Sequence, residues 1–392
     1  MARATCSYGL IRLAVLALLV ANSTGCGERR SWETINESAQ TAHSEGQLEQ
    51  AEQEFLAALA VAEKRGEEEH VVISLNNLGT FNSSLRRYDE SIDYYSRAIE
   101  VRERIVGPDA PELAVSYYNL GIRCQQSNHL DEARENLERA LAIRERVLGP
   151  EHKLVSQVLN SLGLVAYFQG DLESAKQWLE RTVDVMRRTE LALDPKLATG
   201  YTNLAQTLSA LGEYERAQEL MADAEAILAR QFGEDSIRVA RAKVNRAEVL
   251  GHLELNDAAA KLYESAIAIY EAKLPEDHPD LTVGLNNLGT IYRVQGRFKD
   301  AESMYQRAIE ILERLPVDAH PDLAASLFNL ARLYATQSLA DEADPLFRRA
   351  LSLYEGTLGP EHPNVATVRS GYADFLRDNG RGEEAERLVA ER

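Results

Sequence analysis

Six asparagines stand at matching places along the 392-residue chain: Asn77, Asn119, Asn203, Asn245, Asn287 and Asn329, with Ser161 filling the one gap in the series. Successive members are 42 residues apart. Asparagine is a mediocre interior helix residue, so a run of it in one register needs a cause other than helix propensity. A buried carboxamide must find partners, and the next repeat's backbone is one candidate. The same group donates and accepts at once, which suits it to a peptide group whatever side chain stands beside it.

A second series offers different chemistry. His278, His320 and His362 also recur every 42 residues, with His152 in the same register. Metal ligands sit about 2 Å from the ion and hence within ~4 Å of one another. Equivalent positions in stacked helix pairs lie roughly 8–10 Å apart. These histidines therefore cannot share an ion. Prolines follow them at 279, 321 and 363, a helix-start signal, so the histidines read as linker residues.

Catalytic signatures are missing. The chain has no G-x-G-x-x-G, no G-x-x-x-x-G-K-[ST], no H-E-x-x-H, no G-x-S-x-G and no C-x-x-C. Cys124 stands among Arg123, Gln125 and Gln126 with no histidine nearby, as a small packing residue would. With 62 acidic residues, neighbouring carboxylates are inevitable and carry no signal for acid–base chemistry. The expectation is a protein that is not an enzyme, with no cofactor, no metal and no small-molecule substrate. Against those acids stand 43 lysines and arginines, a net charge of -19, the wrong sign for neutralising phosphates, so no nucleic acid is expected as a partner.

Further ladders show what positions these residues. Small residues fall at Ala51, Ser91, Ala133, Ala175, Ala217, Ala259, Ala301, Ala343 and Ala385; the first interval is 40 residues and the next seven are 42. Another ladder runs through Gly79, Gly121, Gly163, Ala205, Ala247, Gly289, Ala331 and Ala373. Within each unit the apolar period is helical: Leu285 to Val294 reads as one helix, Gly296 closes it, and Phe298 to Leu315 reads as a second. Small residues at fixed places let two antiparallel helices approach closely. Tyr95, Leu137, Leu179, Met221, Tyr263, Tyr305 and Phe347 are expected to fill the space between repeats. Nine such units account for residues 31–392. The turn glycine is replaced by Arg86, Asn128, Glu254 and Ser338 in repeats two, three, six and eight, which leaves those turns open, and the ninth repeat has a short second helix.

The L-G pair closing the first apolar stripe, the G-x-(Y/F)-x-x-A turn and the later alanine resemble the tetratricopeptide repeat. The 42-residue period, linkers such as Leu148-Gly149-Pro150-Glu151-His152 and Leu358-Gly359-Pro360-Glu361-His362-Pro363, and the segments Leu285-Asn286-Asn287-Leu288-Gly289 and Asp344-Pro345-Leu346-Phe347 are similar to the kinesin light chain subfamily. The resemblance implies an all-α, right-handed superhelical solenoid of about nine antiparallel helix pairs. It also implies a concave groove in which an asparagine ladder holds the backbone of an extended peptide. On sequence alone, that role and simple packing between repeats both remain open for the six asparagines.

Concave positions counted from that register are uncharged in repeats two to five: Ile73, Asn76, Thr80, Ser83, Ser84; Val115, Tyr118, Ile122, Gln125, Gln126; Gln157, Asn160, Leu164, Tyr167, Phe168; and Thr199, Thr202, Gln206, Ser209, Ala210. With 27% of the chain charged, about five of these twenty would be charged by chance. Repeats six to nine instead carry Arg241, Glu248, Arg293, Arg332, Asp374, Arg377 and Asp378. Forked guanidinium hydrogen bonds there would take a carboxylate. The candidate peptide-binding residues are thus the six ladder asparagines with Asn76, Tyr118, Asn160, Arg293 and Arg332.

The first 25 residues read as a leader: Arg3 and Arg12, no acid, and the short apolar run Leu13 to Ala21. Ser23-Thr24-Gly25-Cys26 is similar to the lipid-attachment motif of bacterial lipoproteins, with Ser23 where that motif usually has leucine. The resemblance implies a signal peptide over 1–25, lipidation of Cys26, a short tether over 26–30 and a membrane-anchored protein. Gly27 rather than aspartate after the cysteine implies the outer membrane, facing the periplasm. The expected function is an interaction scaffold of the cell envelope that binds a protein or peptide partner; the alternative is a regulatory or substrate-presenting subunit of an envelope enzyme or a secretion or assembly complex.

Overall fold

The computed structural model describes residues 30–108, 110–189, 194–315 and 320–390; the segment expected to be a leader and the expected lipidation site Cys26 lie outside them. Among the described residues every regular element is an α-helix, eighteen in chain order. The chain forms two compact units, the first ending at Asn136 and the second starting at Leu137. In the first lie α1 (Trp32–Ser44), α2 (Leu48–Arg65), α3 (Glu68–Ser84), α4 (Tyr88–Val106), α5 (Leu113–Gln126) and the beginning of α6 (Leu130–Leu148). In the second follow α7 (Lys153–Phe168), α8 (Leu172–Arg188), α9 (Pro195–Ala210), α10 (Tyr214–Phe232), α11 (Ile237–His252) and α12 (Asn256–Lys273). It ends with α13 (Pro279–Val294), α14 (Phe298–Leu312), α15 (His320–Thr336), α16 (Ala340–Leu358), α17 (Pro363–Asp378) and α18 (Gly382–Ala390). Odd-numbered helices open each repeat and even-numbered ones close it, which is the helix-pair stack of a solenoid.

The 42-residue ladders are the contact lines of this stack. Ala51, Ala133, Ala175, Ala217, Ala259, Ala301, Ala343 and Ala385 are all fully buried. Ser91 replaces alanine at one rung and satisfies its hydroxyl by donating to the Gly79 carbonyl at 2.7 Å. A Cβ at Gly79 would lie 2.9 Å from the Tyr95 ring, one at Gly163 2.5 Å from Leu179, and one at Gly289 2.8 Å from Tyr305. The large residue thus seats on the glycine of its own repeat, so it packs inside the helix pair as well as between pairs.

Helix ends account for three of the four histidines in the series. The Nδ1 atoms of His152, His278 and His362 accept the backbone N–H groups of Leu154, Asp280 and Asn364 at 3.1, 3.1 and 3.2 Å. In the same register Asp194 and Ser236 accept from Lys196 and Val239. The slot needs an acceptor at a helix N-terminus, and imidazole, carboxylate and hydroxyl all supply one. With Pro279 in its first turn, the first helix of repeat seven starts at 279 rather than 285. Its partner ends at Leu312 rather than 315.

The four replaced turn glycines keep the glycine conformation. Arg86, Asn128, Glu254 and Ser338 have φ of 58°, 61°, 58° and 60°, beside 78° at Gly170 and 74° at Gly296. Backbone bonds onto the preceding helix close each turn, from Arg87 to Asn82, His129 to Cys124, Leu255 to Leu250 and Leu339 to Tyr334. They hold the shape against the residue's own preference, at a cost of roughly 1–2 kcal/mol for a non-glycine residue.

The short ninth repeat is docked. Phe347 stacks on Tyr372 with ring centroids 5.4 Å apart and lies 5.1 Å from Phe375. Asp344 accepts from Tyr372 at 2.8 Å and from Arg381 at 2.7 Å.

Candidate functional site

Within each unit the first helices of successive repeats touch: α1 meets α3, α7 meets α9, α11 meets α13, and α13 meets α15. Equivalent helices crowd together on the inner side of a curved stack, so the row of first helices forms the inner face of each unit.

Apolar residues at concave slots, and at places 42-residue periods away from them, are left in solvent. Ile73 is 39% exposed and Val115 56% in the first unit; Phe168 is 60% and Val294 57% exposed in the second, with Val283 also exposed. In the second unit this face opens into a hollow of about 590 Å³. Leu164, Tyr167 and Phe168 from α7, Asn203, Gln206, Ser209 and Ala210 from α9, Tyr214 and Met221 from α10, and Asn245, Glu248 and His252 from α11 line it. Tyr214 and His252 stack, with ring centroids 4.9 Å apart and planes 7° from parallel. Tyr167 and Phe168 meet edge to face at 5.8 Å.

The ladder amides are partly spent on neighbouring repeats. Asn77 donates to Asn36 Oδ1 at 2.8 Å, and Asn203 donates to Asn160 Oδ1 at 2.9 Å. Asn287 bonds the Tyr263 phenol, whose pKa burial and then the Glu248 charge push up and this bond draws back. Asn286, next to the ladder, donates to Ser326 Oγ at 2.7 Å. Each of these contacts crosses from one repeat to the next and ties the register of the stack. Asn203 and Asn245 also line the hollow, so their amides sit where a ligand would lie. Asn76, Tyr118 and Asn329 are half-buried and Asn119 is exposed.

Arg293 and Arg332 come together on α13 and α15. Arg293 bonds the phenol of Tyr305, which also pairs with Thr290 Oγ1 at 3.0 Å. Arg332 lies 5.7 Å from the centre of the Phe328 ring. Burial, then the Arg293 charge, hold the Arg332 guanidinium below its ordinary pKa. Neither arginine has a carboxylate partner among the described residues.

The structure thus brings Asn203 and Asn245 to one hollow, with Asn160 bonded to Asn203, and Arg293 and Arg332 to one basic pair. Asn76, Asn77, Tyr118 and Asn119 belong to the first unit. Sequence reasoning missed Tyr214 and His252. His252 stands two periods after Phe168, so the register alone could have named it. Tyr214 had been assigned to the turn signature, which hid its place on the hollow's wall.

A tetratricopeptide repeat family model matches residues 71–145, 130–188, 196–272 and 280–355. The chain belongs to the tetratricopeptide repeat family. Members of this family are characteristically interaction modules that bind protein or peptide partners. No match was found among curated proteins. Several solved structures share the repeat fold. The apo form of RapI is 17% identical, with a TM-score of 0.64 over 92% of this chain and 96% of that one. BtubC (BKLC) from P. vanneervenii is 22% identical, with a TM-score of 0.51 over 60% of this chain and 94% of that one. A signal transduction ATPase with numerous domains that carries a tetratricopeptide repeat sensor, from Pyrococcus horikoshii, is 14% identical, with a TM-score of 0.58 over 83% of this chain and 47% of that one. At these identities the likeness is one of fold.

Proposed function

We propose that this tetratricopeptide repeat protein is a non-enzymatic scaffold that holds an extended segment of a partner protein along its first-helix face. One observation carries the reading: large apolar residues stand in solvent at inner-face positions, beside a hollow walled by aromatic rings and amides. Leaving Phe168 and Val294 in water forgoes about 25 cal/mol per Å² of apolar area, a cost that a partner's burial recovers. The amides that tie repeats together keep a second N–H, and these can meet the backbone of the segment. Arg293 and Arg332, which have no carboxylate partner among the described residues, supply the site for an acidic side chain or chain-terminal carboxylate of that segment.

The proposed place of work is the bacterial cell envelope, with the protein tethered by a lipid on Cys26 and facing the periplasm. A multiply acylated terminus anchors well, since each buried methylene contributes about 0.8 kcal/mol.

Photo-crosslinking tests the groove. A benzophenone side chain placed at Phe168 is expected to capture a discrete partner band, and one placed at exposed Glu219 on α10 is not. Capture from position 219 alone would reject the groove. Radiolabelled fatty acid is expected to enter the wild-type protein, and Cys26→Ser is expected to abolish labelling and release the chain from membranes. An unlabelled wild type would reject the anchor.

A further inference from the structure

The hollow between α7, α9 and α11 contains a charge that the rest of the fold does not answer. Glu248 is exposed on its wall and makes no ion pair among the described residues. Elsewhere glutamates are commonly bonded to arginine: Glu180 to Arg216 at 2.9 Å, Glu225 to Arg246 at 3.0 Å, Glu271 to Arg307 at 2.5 Å. Around Glu248 the chain places rings. Phe168 stands 60% exposed, and Tyr214 is stacked flat on His252. A ring face attracts a cation within about 6 Å of its centre, and a planar guanidinium both stacks on such a face and forks onto a carboxylate. Uncharged amides, hydroxyls and apolar side chains supply the remaining walls, and no lysine or arginine lines the hollow.

We infer that the hollow is the receptor for one arginine side chain of the bound segment, held between the Phe168 and Tyr214 rings and paired with Glu248. This rests on the groove reading and deepens it by naming a partner residue. The choice of arginine follows from charge complementarity: a free carboxylate among aromatic faces has no use for a second anion and only half a use for an uncharged ring. With the arginine pair at Arg293 and Arg332 further along the same row, the second unit's groove would carry an acidic receptor followed by a basic one. A segment with arginine and carboxylate in matching order would then bind in one direction only.

The test uses the full chain and three fluorescein-labelled nonapeptides of alanine and serine, with arginine, citrulline or glutamate at the centre. Citrulline keeps the shape of arginine and removes the charge. By fluorescence anisotropy the arginine probe is expected to bind about ten-fold tighter than the citrulline probe, and Glu248→Gln is expected to bring the two within two-fold. Phe168→Ala is expected to weaken the arginine probe at least five-fold with thermal unfolding unchanged. Equal binding of arginine and citrulline probes to the wild type would overturn the inference while leaving the groove intact. If no probe binds at millimolar protein, both readings fall. Self-association that Phe168→Ala abolishes would assign the hollow to a second copy of the chain and overturn the arginine site.

Discussion

On the second helices of each unit, arginines reach back to the preceding second helix: Arg97 to Glu63, Arg181 to Glu145, Arg216 to Glu180, Arg307 to Glu271 and Arg349 to Glu313. On the first helices of repeats seven and eight, Arg293 and Arg332 lie together without a carboxylate partner among the described residues, and in repeat six Glu248 likewise makes no ion pair among them. The chain has 62 acids to distribute, so supply does not explain the difference. The second-helix row closes its charges internally and keeps neighbouring repeats in register. The first-helix row closes some charges as well, Arg241 onto Asp280 and Arg377 onto Asp374. It leaves Arg293, Arg332 and Glu248 without ion pairs among the described residues, as a surface kept for a partner would. Exposed ion pairs are worth only about 0.2–1 kcal/mol each, so the closed row contributes more to register than to stability.

The sharpest way to break this contrast is charge reversal. Arg332→Glu is expected to weaken binding of the glutamate nonapeptide by about a hundred-fold, because one arm of the fork becomes repulsive. Arg307→Glu on the second-helix row is expected to change it less than two-fold. Arg332→Met is expected to weaken binding too, yet to raise the melting temperature slightly, since it removes the repulsion between the Arg293 and Arg332 charges. A lower melting temperature for Arg332→Met would mean that the pair is structural.

The next effect lies at the end of the stack, where an ion pair of the second-helix row is no longer exposed. Burial opposes ionisation of Asp344, but hydrogen bonds from Tyr372 and Arg381 and the charges of Arg348 and Arg381 prevail, so its carboxyl sits below the ordinary value. A depressed carboxylate stabilises the fold above its unfolded pKa of about 4, and that stability is lost as pH falls through the lower folded value. Circular dichroism melts are expected to show the chain less stable below pH 4, and Asp344→Asn to flatten that loss while costing about 2 kcal/mol near neutrality. A wild-type and a mutant curve that fall in parallel would remove Asp344 from this role.

Smaller effects separate the ladder asparagines by position. Asn203→Ala is expected to cost about 1 kcal/mol of stability, through the bond to Asn160. Asn119→Ala, at an exposed position, is expected to leave the melting temperature unchanged. If both leave it unchanged, the amides serve the ligand and not the stack. The smallest effect concerns the turns that join the two rows: Glu254→Gly and Ser338→Gly are each expected to raise stability by up to about 1 kcal/mol, because glycine accepts positive φ freely. Unchanged or lower melting temperatures would show that the turns carry no strain.

The architecture was legible because it repeats. Seven identical intervals fix where small residues must meet, and the burial of every alanine rung at those positions follows from the need of two helices to approach closely. The histidine series was legible as linker residues but not as acceptors, since a cap is defined by the direction of one side chain toward one N–H. The large residues, from Tyr95 to Phe347, were legible as core fillers; their seat on the glycine of their own repeat was not. Asn119 and Asn203 look identical in the series, yet one is exposed and the other bonds an amide of the preceding repeat.

By itself the sequence determined the helical class, the period, the family and the uncharged character of the inner face from repeat two to five, because each of these depends only on which residue types recur and at what spacing. Tertiary structure alone decided that Tyr214 joins Phe168, Glu248 and His252 around one hollow, that Arg293 and Arg332 meet without a counter-ion, and that non-glycine residues hold left-handed turns. The physical reason is one of distance. Periodicity is a property of neighbours along the chain, whereas a binding surface is made where separate repeats are packed side by side, and only the packing says which charges are left unanswered.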